Sequence, residues 1–290
     1  MFLIHKNNIL ILAMCGSLSV FATDELDKSQ PSTRNEQLIH LIAGTSSDKS
    51  YEPRAAAVHK LNDYLTSSEI SLIKSFLYQK QMDLTNLEFN SIKNDLVVIL
   101  MRQKKPIPEL GEWLIDMFAD KTFGDTWRDY CIQFIGQLYP DSSPENKKKM
   151  ITVLTGALQE KSNGIAGAAL IALNRNSSDA LVNRSELGKA ACAIAVNAET
   201  PEYLKVTAIQ IAALHGESEI LLLCDKIIDS GNSSFSTQLK MSAIAAVGIL
   251  KSEERIAKIR PFEKSSDIRL ASAAKSAINK IKNKNGAHAK

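Results

Sequence analysis

One short pattern recurs along this sequence at a nearly constant spacing, and it constrains the fold more than any other feature. In most copies an apolar residue precedes Arg or Lys, a small residue follows three positions later, and an aliphatic residue lies four positions beyond that, as in Arg54, Ala57 and Leu61. The residues at the basic position are Arg54, Lys93, Arg128, Ala166, Lys205, Lys240 and Arg269. Successive copies lie 29 to 39 residues apart. A chain with this regularity is built from a repeated structural unit.

The length of the unit indicates what it contains. Two helices of about 12 to 15 residues and two short turns occupy about 35–40 residues. The small and aliphatic positions lie four residues apart, so they share one helix face and can fill the layer between units. The partner helices are predicted at 35–43, 68–80, 107–120, 144–159, 185–197, 217–229 and 253–260. None of these seven pairs can bury its apolar faces alone, so we expect them to stack into one all-α solenoid.

Local signals also favour helices over strands. Aromatic residues make up only 6% of the chain, which argues against an aromatic-rich β domain. Thr66 is followed three positions later by Glu69, as in a capping box, and Ser143 precedes a proline at a predicted helix start. No Asn-Gly pair separates two alternating apolar runs, so the sequence predicts no β-hairpin.

The second helices of these units resemble those of HEAT repeats. Segment 239–248 (LKMSAIAAVG) and the Asp267-Ile268-Arg269 start of the last copy carry the resemblance, which covers residues 35–282. It implies a right-handed α-solenoid of about seven helical pairs, with one helix of each pair on a concave face. HEAT-like proteins are mostly protein-binding scaffolds, but a fold alone does not determine function.

The N-terminal residues predict a removable leader. Residues 1–22 carry a single charge, Lys6, followed by an apolar run of about 13 residues that is too short to span a bilayer. The run ends at Ala22 with small or branched residues at the cleavage positions, as in a secretory signal peptide. A buried first helix and a lipoprotein acylated at Cys15 are the alternatives, and Met14 before Cys15 disfavours the second. We therefore expect an exported, periplasmic or secreted protein.

The expected domain boundaries follow from the leader and the repeats. After residues 1–22, a flexible segment occupies 23–34, the repeat domain occupies 35–282, and a basic disordered tail occupies 283–290. No apolar segment remains after cleavage that would cross a membrane. The net charge of +3 is too small to indicate nucleic acid as a partner. The HEAT-like resemblance implies a protein partner.

Three cysteines remain after cleavage, and all lie in apolar helical runs. Their odd number argues against a complete disulfide framework. The simplest interpretation of Cys131, Cys192 and Cys224 is a small buried hydrophobic residue. The alternative is a disulfide between Cys192 and Cys224 on neighbouring helices. No histidine lies at ligand spacing from these thiols, so we expect no metal site.

The sequence contains no recognised catalytic string. His-x-x-x-His, Gly-x-Ser-x-Gly, phosphate-binding and dinucleotide-binding motifs are all absent. No carboxylate cluster is evident: Asp125 is expected to cap a helix, and Asp129, on the same helix face, to be a solvated charge. The sequence therefore predicts neither an enzyme nor a cofactor.

The segment from 113 to 139 is the one compositional anomaly, because it contains both tryptophans and several other aromatic residues. One interpretation is a locally thicker core. The other is a partner-binding patch, since Trp and Tyr beside Arg are enriched at binding hot spots. In the second interpretation Trp127, Arg128 and Tyr130 are the exposed members, with Trp113 nearby.

Three functions from different classes remain in view. The first is an exported, non-enzymatic scaffold that binds another protein through its solenoid surface. The second is a structural subunit of an envelope assembly. The third is an enzyme, because HEAT-like solenoids, which this chain resembles, include bilin lyases and alkyl-purine DNA glycosylases. The signal peptide argues against the third, since both of those reactions are intracellular, and the first is preferred.

Overall fold

The computed structural model describes residues 33–44, 50–80, 83–160, 162–230 and 234–283. The predicted signal peptide (1–22), most of the 23–34 segment and nearly all of the basic tail (283–290) lie outside the described residues. Within them the chain forms α-helices and short 3₁₀ turns, with no strand. No helix in the described part combines the length and apolar character that a membrane span needs.

Fourteen α-helices are formed by the described residues. In chain order they are α1 (Arg34–Ile42), α2 (Tyr51–His59), α3 (Ser67–Leu77), α4 (Asn86–Met101), α5 (Leu110–Ala119), α6 (Asp125–Leu138), α7 (Pro144–Ala157), α8 (Asn163–Arg175), α9 (Arg184–Val196), α10 (Glu202–Leu214), α11 (Ile220–Asp229), α12 (Thr237–Ile249), α13 (Ile256–Ile259) and α14 (Ile268–Lys282). Short 3₁₀ helices lie at Tyr139–Asp141, Glu253–Arg255 and Arg260–Lys264, and turns and loops form the other connections.

Helix starts follow the local chemistry of the sequence. The predicted capping box of α3 is present: the Thr66 hydroxyl accepts from the backbone N–H of Glu69, whose carboxylate accepts from the Thr66 N–H. Equivalent boxes begin α1 and α4. At α7 the Ser143 hydroxyl accepts from Asn146 N–H, and Pro144 occupies the first helical position.

The helices pack as seven consecutive antiparallel-type pairs, α1–α2 through α13–α14. We call α1, α3 and the other odd-numbered helices the first-helix layer, and the even-numbered helices the second-helix layer. Each second-layer helix contacts the next along the whole series from α2 to α14. In the first-helix layer several neighbouring helices also contact each other, including α1 with α3, α5 with α7 and α9 with α11. This two-layer stack confirms the predicted all-α solenoid of seven pairs.

The positions singled out by the repeat form the core between successive pairs. In the first six copies the position three residues after the basic one is almost completely buried, with Ala57, Leu96, Cys131, Ala169, Ala208 and Ala243 all at 0–1% exposure. The aliphatic residues four positions later are buried as well. In the last copy the frame slips, and Ser272 is exposed while Ala274 is buried.

Buried basic side chains join the two helices of a pair. Arg54 on α2 donates from Nε to the carbonyl of Ile42, the last residue of α1, at 2.9 Å. Lys93 on α4 donates to the carbonyl of Gln79, just beyond the end of α3. The last carbonyls of a helix have no partner within it and carry the negative end of the helix dipole. In these copies the basic residue of the repeat therefore satisfies a carbonyl at or just beyond the C-terminus of the preceding helix.

Glycine allows two pairs of second-layer helices to approach very closely. A Cβ added to Gly136 on α6 would lie 2.4 Å from Cβ of Ala172 on α8. A Cβ added to Gly248 on α12 would lie 2.6 Å from the Cα of Ala277 on α14. Because the obstruction at Gly248 is backbone, it cannot be relieved by a change of rotamer.

We expect Gly248→Ala to destabilise the protein by about 1–3 kcal/mol, the usual cost of overpacking a well-packed contact. The free energy of unfolding in urea is the measurement. Gly156→Ala is the matched control, because Gly156 lies in α7 with open space around its Cβ position. That control should be neutral or stabilising by up to about 1 kcal/mol through helix propensity. Equal effects in the two variants would contradict the close α12–α14 contact.

Candidate functional site

The aromatic segment 113–139 is mainly core. Trp127 is 1% exposed and is the largest fully buried side chain in the described part of the chain. Phe118, Phe123, Phe134 and Tyr139 are buried with it. The expectation that Trp127 is exposed is therefore wrong, and the buried aromatic residues fit the other interpretation, in which this segment belongs to the core. The physical reason is that Trp127 packs inward against residues of the preceding repeat.

Arg128 is also buried, at 3% exposure. Its Nε donates to the Phe118 carbonyl in the last turn of α5 at 2.8 Å, repeating the arrangement of Arg54. Its two terminal nitrogens pair with Asp125 at 3.2 Å and with Glu160 at 2.9 Å. The prediction of an exposed Arg128 is wrong, because the side chain is buried in contacts with α5 of its own pair and with Glu160 of the next pair.

Trp113 and Tyr130 are half-buried against the core. Tyr130 packs edge-on against Trp127, with ring centroids 6.4 Å apart. The Lys74 ammonium lies 4.7 Å from the centroid of the Trp113 ring, within cation–π range. Each ring keeps some exposed surface, and contact of these two residues with a partner stays a prediction.

A buried lysine lies inside the aromatic cluster. The Lys93 ammonium is 4.3 Å from the Phe89 ring centroid, 4.9 Å from that of Phe123 and 5.0 Å from that of Trp127. No carboxylate among the described residues pairs with it. Burial lowers the pKa of Lys93 from its usual 10.5 to about 7. Three aromatic faces and the Gln79 carbonyl thus replace the water that this amine has lost.

The lowered pKa of Lys93 predicts that stability increases with pH. Between about pH 7 and 10 the unfolded chain keeps this lysine protonated while the folded chain releases the proton, so unfolding takes up a proton. The free energy of unfolding of the wild type should then rise by up to about 1.4 kcal/mol per pH unit relative to Lys93→Met. Urea unfolding of both proteins from pH 6.5 to 9 measures the difference. A flat difference would contradict the lowered pKa.

The cysteines are buried thiols. Cys131, Cys192 and Cys224 are all free in the structure, so the alternative of a disulfide between Cys192 and Cys224 is not formed. The two residues lie on the contacting helices α9 and α11. Burial raises the pKa of Cys192, and burial raises the pKa of Cys224 to about 12. The interpretation as small buried hydrophobic residues fits their positions. Within the described ranges no three His, Cys, Asp or Glu side chains are grouped as metal ligands.

One concave surface of the described residues is a groove across three second-layer helices. It has a volume of about 320 Å³ and is formed by α6, α8 and α10. Gly164, Gly167 and Ala168 of α8 lie in its lining, with Gln133 and Gln137 contributed by α6 and with Tyr203 by α10. We call this surface the α8 groove. Its middle helix carries small residues, so the flanking helices stand above it.

Asp129 lies at one end of the α8 groove. One carboxylate oxygen, Oδ2, is 3.6 Å from the Cβ position of Gly164, in the first turn of α8. The other, Oδ1, is buried and has no hydrogen-bond partner. Burial raises the pKa of Asp129, while a hydrogen bond from Gln133 opposes the rise. The expectation of a solvated charge at Asp129 is therefore wrong, because the neighbouring repeat partly covers it.

The rest of the α8 groove combines one cation with exposed apolar surface. Arg175, at the end of α8, is exposed and forms no ion pair with any described residue. Ile171 is 46% exposed and Tyr203 is 64% exposed. Sequence reasoning missed this site. The available signal was the fourth copy of the repeat, which has Ala166 at the basic position and the Gly- and Ala-rich run around it.

Comparison with known proteins places the chain in no family. No protein family and no curated protein matches it. The YibA protein of E. coli aligns at 15% identity over 88% of this chain and 99% of its own, with a TM-score of 0.49. Human deoxyhypusine hydroxylase aligns at 11% identity over 86% and 97%, with a TM-score of 0.34. A designed armadillo repeat protein in complex with the peptide (KR)4 aligns at 13% identity over 86% and 100%, with a TM-score of 0.31.

Proposed function

We propose that the protein is a HEAT-like helical-repeat scaffold that binds a segment of another protein in the α8 groove. The observation that carries the proposal is the combination, in one concave surface, of exposed Tyr203 and Ile171 with the uncommitted charges of Asp129 and Arg175. Exposed aromatic side chains and arginine are enriched at binding surfaces, whose rims are polar. The groove volume of about 320 Å³ is at the lower end of the range for ligand sites.

Binding explains the groove better than catalysis does. Gly164, beside Asp129, and Arg175 are eleven residues apart on α8, which corresponds to about 16 Å along the helix axis. Acid–base groups that act on one substrate must come within hydrogen-bond reach of the same reacting centre. Two charges separated along a groove suit an elongated ligand instead. We therefore propose a non-enzymatic role.

Site-specific photocrosslinking in the native cell tests this function. A benzophenone amino acid replaces Tyr203 in the α8 groove, and in the control it replaces Leu222, which lies on α11 and has a similar exposure of 69%. We expect a discrete crosslinked protein from position 203 and none, or a different one, from position 222. Identical products at both positions, or no product from 203, would contradict a binding role for the groove.

We also propose that the chain is exported to the periplasm or the medium after removal of residues 1–22. The support is the apolar run that ends at Ala22. N-terminal sequencing of the protein isolated by cell fractionation should begin at Thr23. Ala22→Leu, which puts a large residue at the cleavage position, should accumulate the uncleaved precursor. An uncleaved wild-type protein in the cytosolic fraction would disprove export.

A further inference from the structure

We propose that the ligand of the α8 groove is an extended peptide segment with a basic residue and an acidic residue four to six positions apart. The basic residue pairs with Asp129 and the acidic residue with Arg175. This inference rests on the proposed function, since it names the class of segment that the groove binds. It is carried by the width of the groove, by its length and by the charges at its two ends.

The width of the groove selects an extended segment. Packed helices lie about 8–10 Å apart, so the axes of α6 and α10, which both contact α8, are about 16–20 Å apart. Each flanking helix, with its side chains, has a diameter of about 10–12 Å, which leaves about 4–10 Å between them. A helical ligand of about 10–12 Å does not fit this gap. An extended chain, which lies about 4.8 Å from its neighbours in a sheet, does.

The floor of the groove lets such a chain approach closely. Gly164, Gly167 and Ala168 contribute no side chain larger than a methyl group. The Cβ position of Gly167 is 3.0 Å from the Leu204 side chain of α10, so the α10 wall of the groove is in direct contact with its floor on α8. Gln133 and Gln137 are exposed on the opposite wall, where their amides can both donate to and accept from a peptide backbone.

The charges at the two ends set the pattern of the ligand. The Oδ2 atom of Asp129 lies beside the first turn of α8, where Ser162 forms no side-chain cap and the helix dipole favours an ionised carboxylate. Arg175 offers a planar guanidinium suited to a carboxylate. Neither forms an ion pair with the described residues. A separation of about 16 Å corresponds to about five residues at 3.3 Å each, and the reach of the Arg175 side chain extends this to four to six.

Selection from a phage-displayed library of random 12-residue peptides tests the inference. The baits are the wild type and the double variant Asp129→Asn/Arg175→Gln. The control bait is Asp141→Asn/Arg260→Gln, which changes the same residue types at exposed positions outside the groove. Circular dichroism melting verifies that all three baits are folded. The best peptide is then synthesised, and its affinity for each bait is measured by fluorescence polarisation.

We expect enriched peptides to carry Lys or Arg four to six positions from Asp or Glu. Their affinity should fall at least tenfold on the groove variant and stay within twofold on the control variant. Enriched peptides without this charge spacing, or with equal affinity for both double variants, would overturn the inference and leave the proposed function standing. No enrichment above background on the wild type would overturn the proposed function itself, and the inference with it.

Discussion

The structure depends on a buried cation that reaches back across each of several helical pairs. Arg54 and Arg128 extend from the second helix of a pair to a carbonyl in the last turn of the first, and Lys93 does so just beyond that turn. A buried, unpaired carbonyl costs more than a hydrogen bond contributes. Sliding or rotating one helix against the other would break this bond, so the bond fixes the register of the pair. Pairs with a fixed register can then stack on one another, with the small residues of the repeat at the same place in each contact.

The α8 groove lies where the repeat departs from this scheme. The fourth copy has Ala166 in place of the cation, and α8 carries glycine at 164 and 167. Neighbouring copies place larger side chains on the outer face of the second-layer helix. The contact of Gly136 with Ala172 brings α6 and α8 together, while Leu204 fills the side towards α10. A helix with small outer side chains between two helices with larger ones produces a groove, so the proposed binding surface follows from a local loss of the repeated pattern.

The fold could be predicted from the sequence because its signals are local or periodic. Burial of Ala57 or Ala243 follows from a position within the repeat, and the capping box at Thr66 needs only four residues. The candidate site could not be predicted from the sequence, because the environment of its side chains depends on neighbouring repeats. Trp127 is of a residue type that is enriched at binding hot spots, yet its ring is buried against Lys93, which lies 34 residues earlier in the chain. Asp129 has its unusual environment because Gly164 in the next pair leaves room for it.

The distribution of ion pairs separates charges that organise the stack from charges that are available to a ligand. Along the first-helix layer, charges from adjacent repeats pair with each other, as Lys149 does with Glu112 at 2.9 Å and Lys258 with Asp229 at 2.6 Å. Exposed pairs of this kind contribute at most about 1 kcal/mol each, but they neutralise the surface between repeats. Asp129 and Arg175 lie on the second-helix layer without such counterparts among the described residues. Water and counter-ions compensate these two charges in the free protein. In the proposed complex a bound segment would replace them, and this is why we place partner recognition on the second-helix layer.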